Sequence, residues 1–160
     1  MSGPGAALGG GPGDFPVLAL AGNPNVGKTT LFNSLTGMRQ HTGNWPGKTV
    51  GLAQGKCRGR DMTLVDLPGT YSLLSHSPEE QVARSFLCRG LAQQVLVVCD
   101  GGTLTRNLVL VLQILEITPH VTVCVNLLEE ARRRGQSLDL ELLSQRLGIP
   151  VYGVEARRRN

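Results

Sequence analysis

VLALAGNPNVGKTT, residues 17–30, changes character at its midpoint. It opens as an almost unbroken apolar run, the pattern of a strand buried on both faces of a parallel sheet. From Gly22 onward it matches G-x-x-x-x-G-K-[ST], with Gly22, Gly27, Lys28 and Thr29 in the required places. The following KTTLFNSLTG reads as a helix that stops at Gly37, a C-cap residue. Strand, glycine loop and helix in this order make a phosphate cradle. Glycines let the backbone amides of Asn23, Asn25, Val26, Gly27 and Thr30 curl around an anion, and the helix N-terminus adds a favourable dipole. Lys28 is expected to reach the β- and γ-phosphates, and the Thr29 hydroxyl to ligate Mg²⁺. The competing reading, a chance glycine turn, needs all three elements to fall in register by accident.

Working outward, four more apolar runs stand out: 62–69, 94–101, 121–126 and 149–156. The segment 48–59 is more polar and dotted with glycine, which suits an edge strand feeding a hairpin. Helical patterns separate the runs. SPEEQVARSFLCRG carries a Ser N-cap, Pro at the first helical position and two acids in the first turn. TLTRNLVLVLQILEIT is apolar on most sides and is expected to be well buried. SLDLELLSQRLG closes at Gly148. The alternation predicts an α/β P-loop NTPase: a doubly wound, mostly parallel sheet of about six strands with helices on both faces, as in a Ras-like G domain.

The bulk numbers agree with one domain. The 160 residues are 41% hydrophobic and 18% charged, and the net charge is +4. Residues 1–15 read as a flexible lead-in and 16–160 as the folded unit. Two arginine runs, 131–135 and 156–160, lack interleaved aromatics, so no nucleic-acid partner is expected. No apolar run approaches the length of a membrane span. The four cysteines form no CxxC pair and suit a reducing, cytoplasmic setting. His41, His76 and His120 are scattered and read as surface or loop residues rather than metal ligands.

Three further motifs follow the strands. DLPG (66–69) ends the second apolar run as D-x-x-G, with Asp66 expected on Mg²⁺ through a water and the Gly69 amide on the γ-phosphate. The next residue is Thr70, where many nucleotide-hydrolysing switches have a water-orienting Gln. NLLEE (126–130) places Asn126 in the first position of the N-x-x-D base-reading motif, with Glu129 where Asp is usual. The carboxylate is kept on a longer arm, so guanine preference is expected with reduced affinity. Two acids opening a solvated helix are the alternative. VEARR (154–158) stands where a backbone amide supports the guanine carbonyl, which points to Val154 and Ala156. HTGNWPGKTVG (41–51) then falls where a first switch supplies a threonine to Mg²⁺ and the γ-phosphate. Thr49 is the preferred candidate and Thr42 the lesser one. The role of Trp45, the chain's single tryptophan, stays open between packing the loop and offering a surface.

GNPNVGKTTLFNSLTG, GNWPGKTV, LVDLPGTYSL and RNLVLVLQILE together resemble the amino-terminal G domain of the ferrous iron transport protein B (FeoB) family, within the TrmE-Era-Septin-like P-loop GTPases. The resemblance implies a slow GTPase, with GTP/GDP, Mg²⁺ and K⁺ as cofactors, on the cytoplasmic face of the inner membrane. It implies a K⁺ held beside the phosphates by Asn25 and by backbone carbonyls of the switch that carries Gly47 and Thr49. Lys28, Asn25, Thr49 and Gly69 then form the catalytic set. The implied partner is the membrane transport domain of the same full-length protein, with self-association through the switch regions a second option. The helical and membrane domains of the family lie outside this chain. A sensor with negligible turnover and a soluble RNA- or ribosome-associated GTPase are the rival readings.

Overall fold

A computed structural model describes residues 15–45 and 51–154. Within them the expected apolar runs become parallel strands: β1 (Val17–Gly22), β4 (Thr63–Asp66), β5 (Gln94–Asp100), β6 (Val121–Asn126) and β7 (Val151–Gly153). Two further strands, β2 (His41–Gly43) and β3 (Leu52–Lys56), pair antiparallel, and since β3 is also antiparallel to β4, β3 alone runs against the rest of the sheet. The sheet order is β2-β3-β4-β1-β5-β6-β7. It has seven strands where about six are expected from sequence. The extra one is β2, a short polar piece whose pairing with Leu52–Gln54 leaves no hydrophobic alternation to read. It also takes the edge, so β3 lies one place inside and is shorter than the expected 48–59. The lead-in residues 1–14 lie outside the described residues, as do Gly47, Thr49 and Ala156.

The side-chain alternation of β1 divides the core in two. Val17, Ala19 and Ala21 join one apolar cluster with Phe86 and Leu87 of α2 (Pro78–Cys88) and Leu110, Val111 and Ile114 of α3 (Leu104–Leu115). Leu18 and Leu20 join another with Phe32 and Leu35 of α1 (Lys28–Thr36). Successive residues of a strand point to opposite faces, so helices cover both sides of the sheet. The remaining helices are α4 (Leu128–Arg133) and α5 (Leu140–Leu147).

Local signals set the helix ends. Ser77 accepts a hydrogen bond from the Glu80 amide at 3.1 Å, and Gly37 and Gly148 end α1 and α5 in the left-handed conformation. One expectation is corrected. Helix α3 is not buried all round, since Val109 and Leu112 are about half exposed while Asn107, Leu110, Val111 and Ile114 face inward. Its apolar residues exceed what one buried stripe needs. Cys99 and Cys124 are buried on neighbouring strands. Burial pushes the Cys99 thiol up to about 12, with Cys124 and Asp100 adding to the effect, and burial pushes Cys124 up to about 11. Both stay protonated and pack as small apolar groups.

Trp45 is a core residue. It is 2% exposed, meets Phe86 edge-to-face at 5.2 Å, and its Nε1–H donates to Gln54 Oε1 at 2.8 Å. Gln54, itself buried, lies 3.3 Å through its amide from the His41 ring nitrogen. The indole therefore carries both apolar packing and the satisfaction of a buried amide. Trp45→Ala is expected to lower unfolding free energy in urea by about 3–5 kcal/mol. Trp45→Phe keeps an aromatic ring but strands the Gln54 carbonyl, and its expected cost is about 1–3 kcal/mol. Losses under about 0.5 kcal/mol for both variants would be those of a surface aromatic and would contradict this placement.

Candidate functional site

The loop between β1 and α1 runs from Asn23 to Gly27 at the carboxyl ends of the parallel strands, where the order of connection reverses about β1. That is where open α/β sheets place their ligands. Two residues of the loop have left-handed backbone, Asn25 at φ 67° and Gly27 at φ 91°. Asn tolerates this region and glycine prefers it. The loop borders an open cleft of about 460 Å³, lined by Asn23, Pro24, Asn25, Gly27, Lys28, Thr29, Thr30 and Gly69. Six of the residues expected to bind ligand are thereby brought together with the Gly69 turn.

Lys28 is 8% exposed, and its charge is met from β4. Its Nζ contacts the Asp66 carboxylate and donates to the Leu67 carbonyl at 2.8 Å. A buried ammonium requires such partners. The DLPG turn is also held to the loop by backbone. The Thr70 amide donates to the Gly22 carbonyl at 3.0 Å, and a Cβ at Gly69 would lie 3.2 Å from Pro24 Cα. Thr70 is 4% exposed and does not line the cleft.

On the other side, Asn126 ends β6 and is 1% exposed. Its Nδ2 donates to the Val26 carbonyl at 3.1 Å. The end of β6 is thus fastened directly to the loop between β1 and α1. Gly27 is required here, because a Cβ would sit 2.1 Å from that Asn126 nitrogen. Leu127 follows with φ 62°, an uncommon conformation for such a residue, and turns the chain into α4. Glu129 lies in the first turn of α4, with its carboxylate 2.9 Å from Arg132 and both side chains well exposed. An exposed pair of this kind is weakly held, so the carboxylate is available to another donor. The Val154 amide donates to the Val125 carbonyl at 2.9 Å, which places Val154 beside the end of β6; residues 155–158 of the last motif lie outside the described residues.

The donor chemistry suits a hard cation. The Thr29 hydroxyl stands on the cleft, and the Asp66 carboxylate sits on the neighbouring Lys28. Few protein oxygens with room for phosphate oxygens is the Mg²⁺ pattern. Among the described residues no cluster of three or more His, Cys, Asp or Glu exists. Sequence reasoning missed the straps on the segment after DLPG. The Leu73 amide donates to Gln113 Oε1 at 2.6 Å, Arg84 donates to the Leu73 and Ser75 carbonyls, and the Ser75 amide donates to Glu80. These join side chains to backbone across the chain, and only the capping pair of Ser77 and Glu80 leaves a trace in the sequence.

A family model described as "Ferrous iron transport protein B" matches residues 17–160. The Fe(2+) transporter FeoB of Salmonella typhimurium is 45% identical over 147 residues, covering 88% of this chain and 19% of the relative. That of Escherichia coli K12 is 44% identical over the same length. The chain therefore spans 19% of the length of the curated relatives it matches. Among solved structures, the G domain of the T. maritima FeoB iron transporter superposes with a TM-score of 0.79 at 42% identity, covering 88% of this chain and 87% of that one. A point mutant of S. thermophilus NFeoB bound to mGDP gives 0.82 at 41% identity, covering 89% of this chain and 55% of that one.

The Gly27–Asn126 contact yields a test in ligand-free protein. Gly27→Ala is expected to lose about 2 kcal/mol or more, from left-handed strain together with the collision at Asn126. Adding Asn126→Ala removes the collision partner, so the double variant should fall short of the summed losses by about 0.5 kcal/mol or more in a urea double-mutant cycle. Strict additivity would mean that the two residues do not touch.

Proposed function

The chain belongs to the ferrous iron transport protein B family, as its amino-terminal G domain, and from that premise we propose that it binds GTP and GDP and hydrolyses GTP slowly as a switch. The observation that carries the proposal is the Asn126–Val26 hydrogen bond, which makes one groove of the phosphate loop and the base-reading strand end. A nucleotide laid along it has its phosphates among the amides of residues 23–30 and its base beside Asn126, with Glu129 accepting from the guanine N1 and N2 donors. Val154 and Ala156 flank the base.

Magnesium is the expected metal: Thr29 and Thr49 of the first switch would hold it directly and Asp66 through a water, and it would supply charge neutralisation on the phosphate oxygens. Lys28 leaves the Leu67 carbonyl for the phosphates. The Gly69 amide meets the γ-phosphate, and the Thr70–Gly22 backbone bond beside it couples that contact to β1. The carboxamide of Asn25, which lies exposed on the cleft, suits a K⁺ ion beside the phosphates, together with carbonyls near Gly47. Buried Thr70 gives no water-orienting side chain, which supports slow turnover.

The relatives are named as Fe(2+) transporters, and the greater part of their length lies outside this chain. The proposed partner is therefore the membrane transport part of the same protein, with the domain at its cytoplasmic face and self-association through the switches as a second contact. Among the described residues no helix is long and apolar enough to cross a membrane.

Calorimetric titration should show GDP and a GTP analogue binding at least about tenfold tighter than an ATP analogue, and Glu129→Asp should widen that gap. Single-turnover hydrolysis should run faster in KCl than in NaCl, and Asn25→Ala should abolish the difference while GDP still binds. Equal rates in both salts would remove the role given to Asn25. Tight binding without phosphate release above background would favour a sensor over an enzyme, the reading that the buried Thr70 would then carry.

A further inference from the structure

Asn23 is 3% exposed, and both polar atoms of its carboxamide, Nδ2 and Oδ1, are buried with no hydrogen-bond partner. Among the described residues it is the one side chain in this condition. Buried amides are almost always paired, because leaving one unpaired forfeits its hydration with nothing in return. An apolar residue of similar size would cost the ligand-free protein less. The residue also lines the phosphate cleft ahead of α1, with its unpaired amide buried just behind the cleft wall.

Its position along the loop identifies which part of the ligand it meets. The far end of the loop, Val26 and Gly27, is fastened to Asn126 and so marks the base side. The near end abuts the DLPG turn: a Cβ at Gly69 would stand 3.3 Å from the Pro24 nitrogen, the atom joined to Asn23, and the Thr70 amide holds the Gly22 carbonyl at 3.0 Å. Gly69 is the residue assigned to the terminal phosphate. Asn23 therefore sits at the third-phosphate end. The carboxamide that other switches place after D-x-x-G is absent at buried Thr70, and an unpaired carboxamide belongs to the residue after Gly22, whose carbonyl holds the Thr70 amide.

We infer that Asn23 is the group that senses the third phosphate: Nδ2 donates to a terminal phosphate oxygen, and Oδ1 accepts from the attacking water. The inference rests on the cleft being a guanine-nucleotide site. In the reaction the water oxygen bonds the terminal phosphorus, the bond to the bridging oxygen breaks, and the water protons end on the phosphate products. Asn23 orients the water and is unchanged. GDP, which lacks the third phosphate, leaves the carboxamide as it is in the free protein.

The test uses the 160-residue chain and its Asn23→Ala and Asn23→Asp variants, with three readouts. These are the thermal midpoint without nucleotide, the affinities for GDP and a non-hydrolysable GTP analogue, and single-turnover hydrolysis. Asn23→Ala should leave the midpoint unchanged or raise it, and keep GDP affinity within about threefold. It should weaken the GTP analogue and slow hydrolysis by about tenfold or more, the range for one lost hydrogen bond to a charged group. Asn23→Asp exchanges the donor for a negative oxygen and should discriminate against the GTP analogue more strongly than Ala does. A lower midpoint for Asn23→Ala, or equal losses for GDP and the GTP analogue, would show a structural amide and overturn the inference. Unchanged GTP selectivity in both variants would overturn it as well. Failure of the unsubstituted chain to bind either nucleotide would instead defeat the reading of the cleft itself, and the role of Asn23 with it.

Discussion

The charge of Lys28 has to be answered from within the protein, and the rest of the site is arranged around that answer. Its ammonium sits under the loop at the first residue of α1, where the Asp66 carboxylate and the Leu67 carbonyl meet it. Strands β1 and β4 run in parallel register, with Leu20 opposite Asp66, so these acceptors arrive at the carboxyl edge of the sheet beside the loop. A phosphate entering the cleft offers a second set of anionic oxygens for the same buried cation. Exchanging the Leu67 carbonyl for a phosphate oxygen would connect ligand arrival to the DLPG turn, because the carbonyl released belongs to that turn. A lysine is well suited to such an exchange, being a compact charge on a flexible stem.

The two segments expected to respond to the third phosphate are tied to one helix. Trp45 leads into the segment that carries Thr49, and it packs on Phe86 of α2. Leu73 follows DLPG, and its carbonyl accepts from Arg84 of the same helix. Helix α3 adds Gln113 to the second of these attachments. Trp45 and Leu73 are thus both anchored on α2. This gives the lone tryptophan its place. It is buried in the larger apolar cluster of the domain, just ahead of the segment expected to act as the first switch.

Much of this was legible in the residues, for local reasons. The phosphate loop needs glycine where the backbone turns left-handed, helix ends need Ser77, Gly37 and Gly148, and β1, β5 and β6 announce themselves by unbroken apolar runs. What escaped depends on partners distant in the chain. Strand β2 has three polar or small residues and exists because Leu52–Gln54 pairs with it. The burial of Trp45 depends on Phe86 and Gln54, and no periodicity in HTGNWPG records either. Asn126 stands in the first position of an N-x-x-D-like motif, yet its hold on Val26 spans 100 residues and could be found only in the folded chain. The exposed side of α3, with Val109 and Leu112, misled because composition says how apolar a helix is and not how much of it is covered. Asn23 shows the converse: its neighbours in the motif draw attention, while its unpaired carboxamide is visible only once burial is known.

The most direct test of the account is a crystal structure of this chain with GDP and Mg²⁺. The account predicts phosphates seated among the amides of residues 23–30, the Lys28 ammonium moved from the Leu67 carbonyl onto a phosphate oxygen, and the guanine beside Asn126 with Glu129 on its N1 and N2 edge. Phosphates lying outside the loop, or a nucleotide bound while Lys28 keeps both of its present partners, would contradict it.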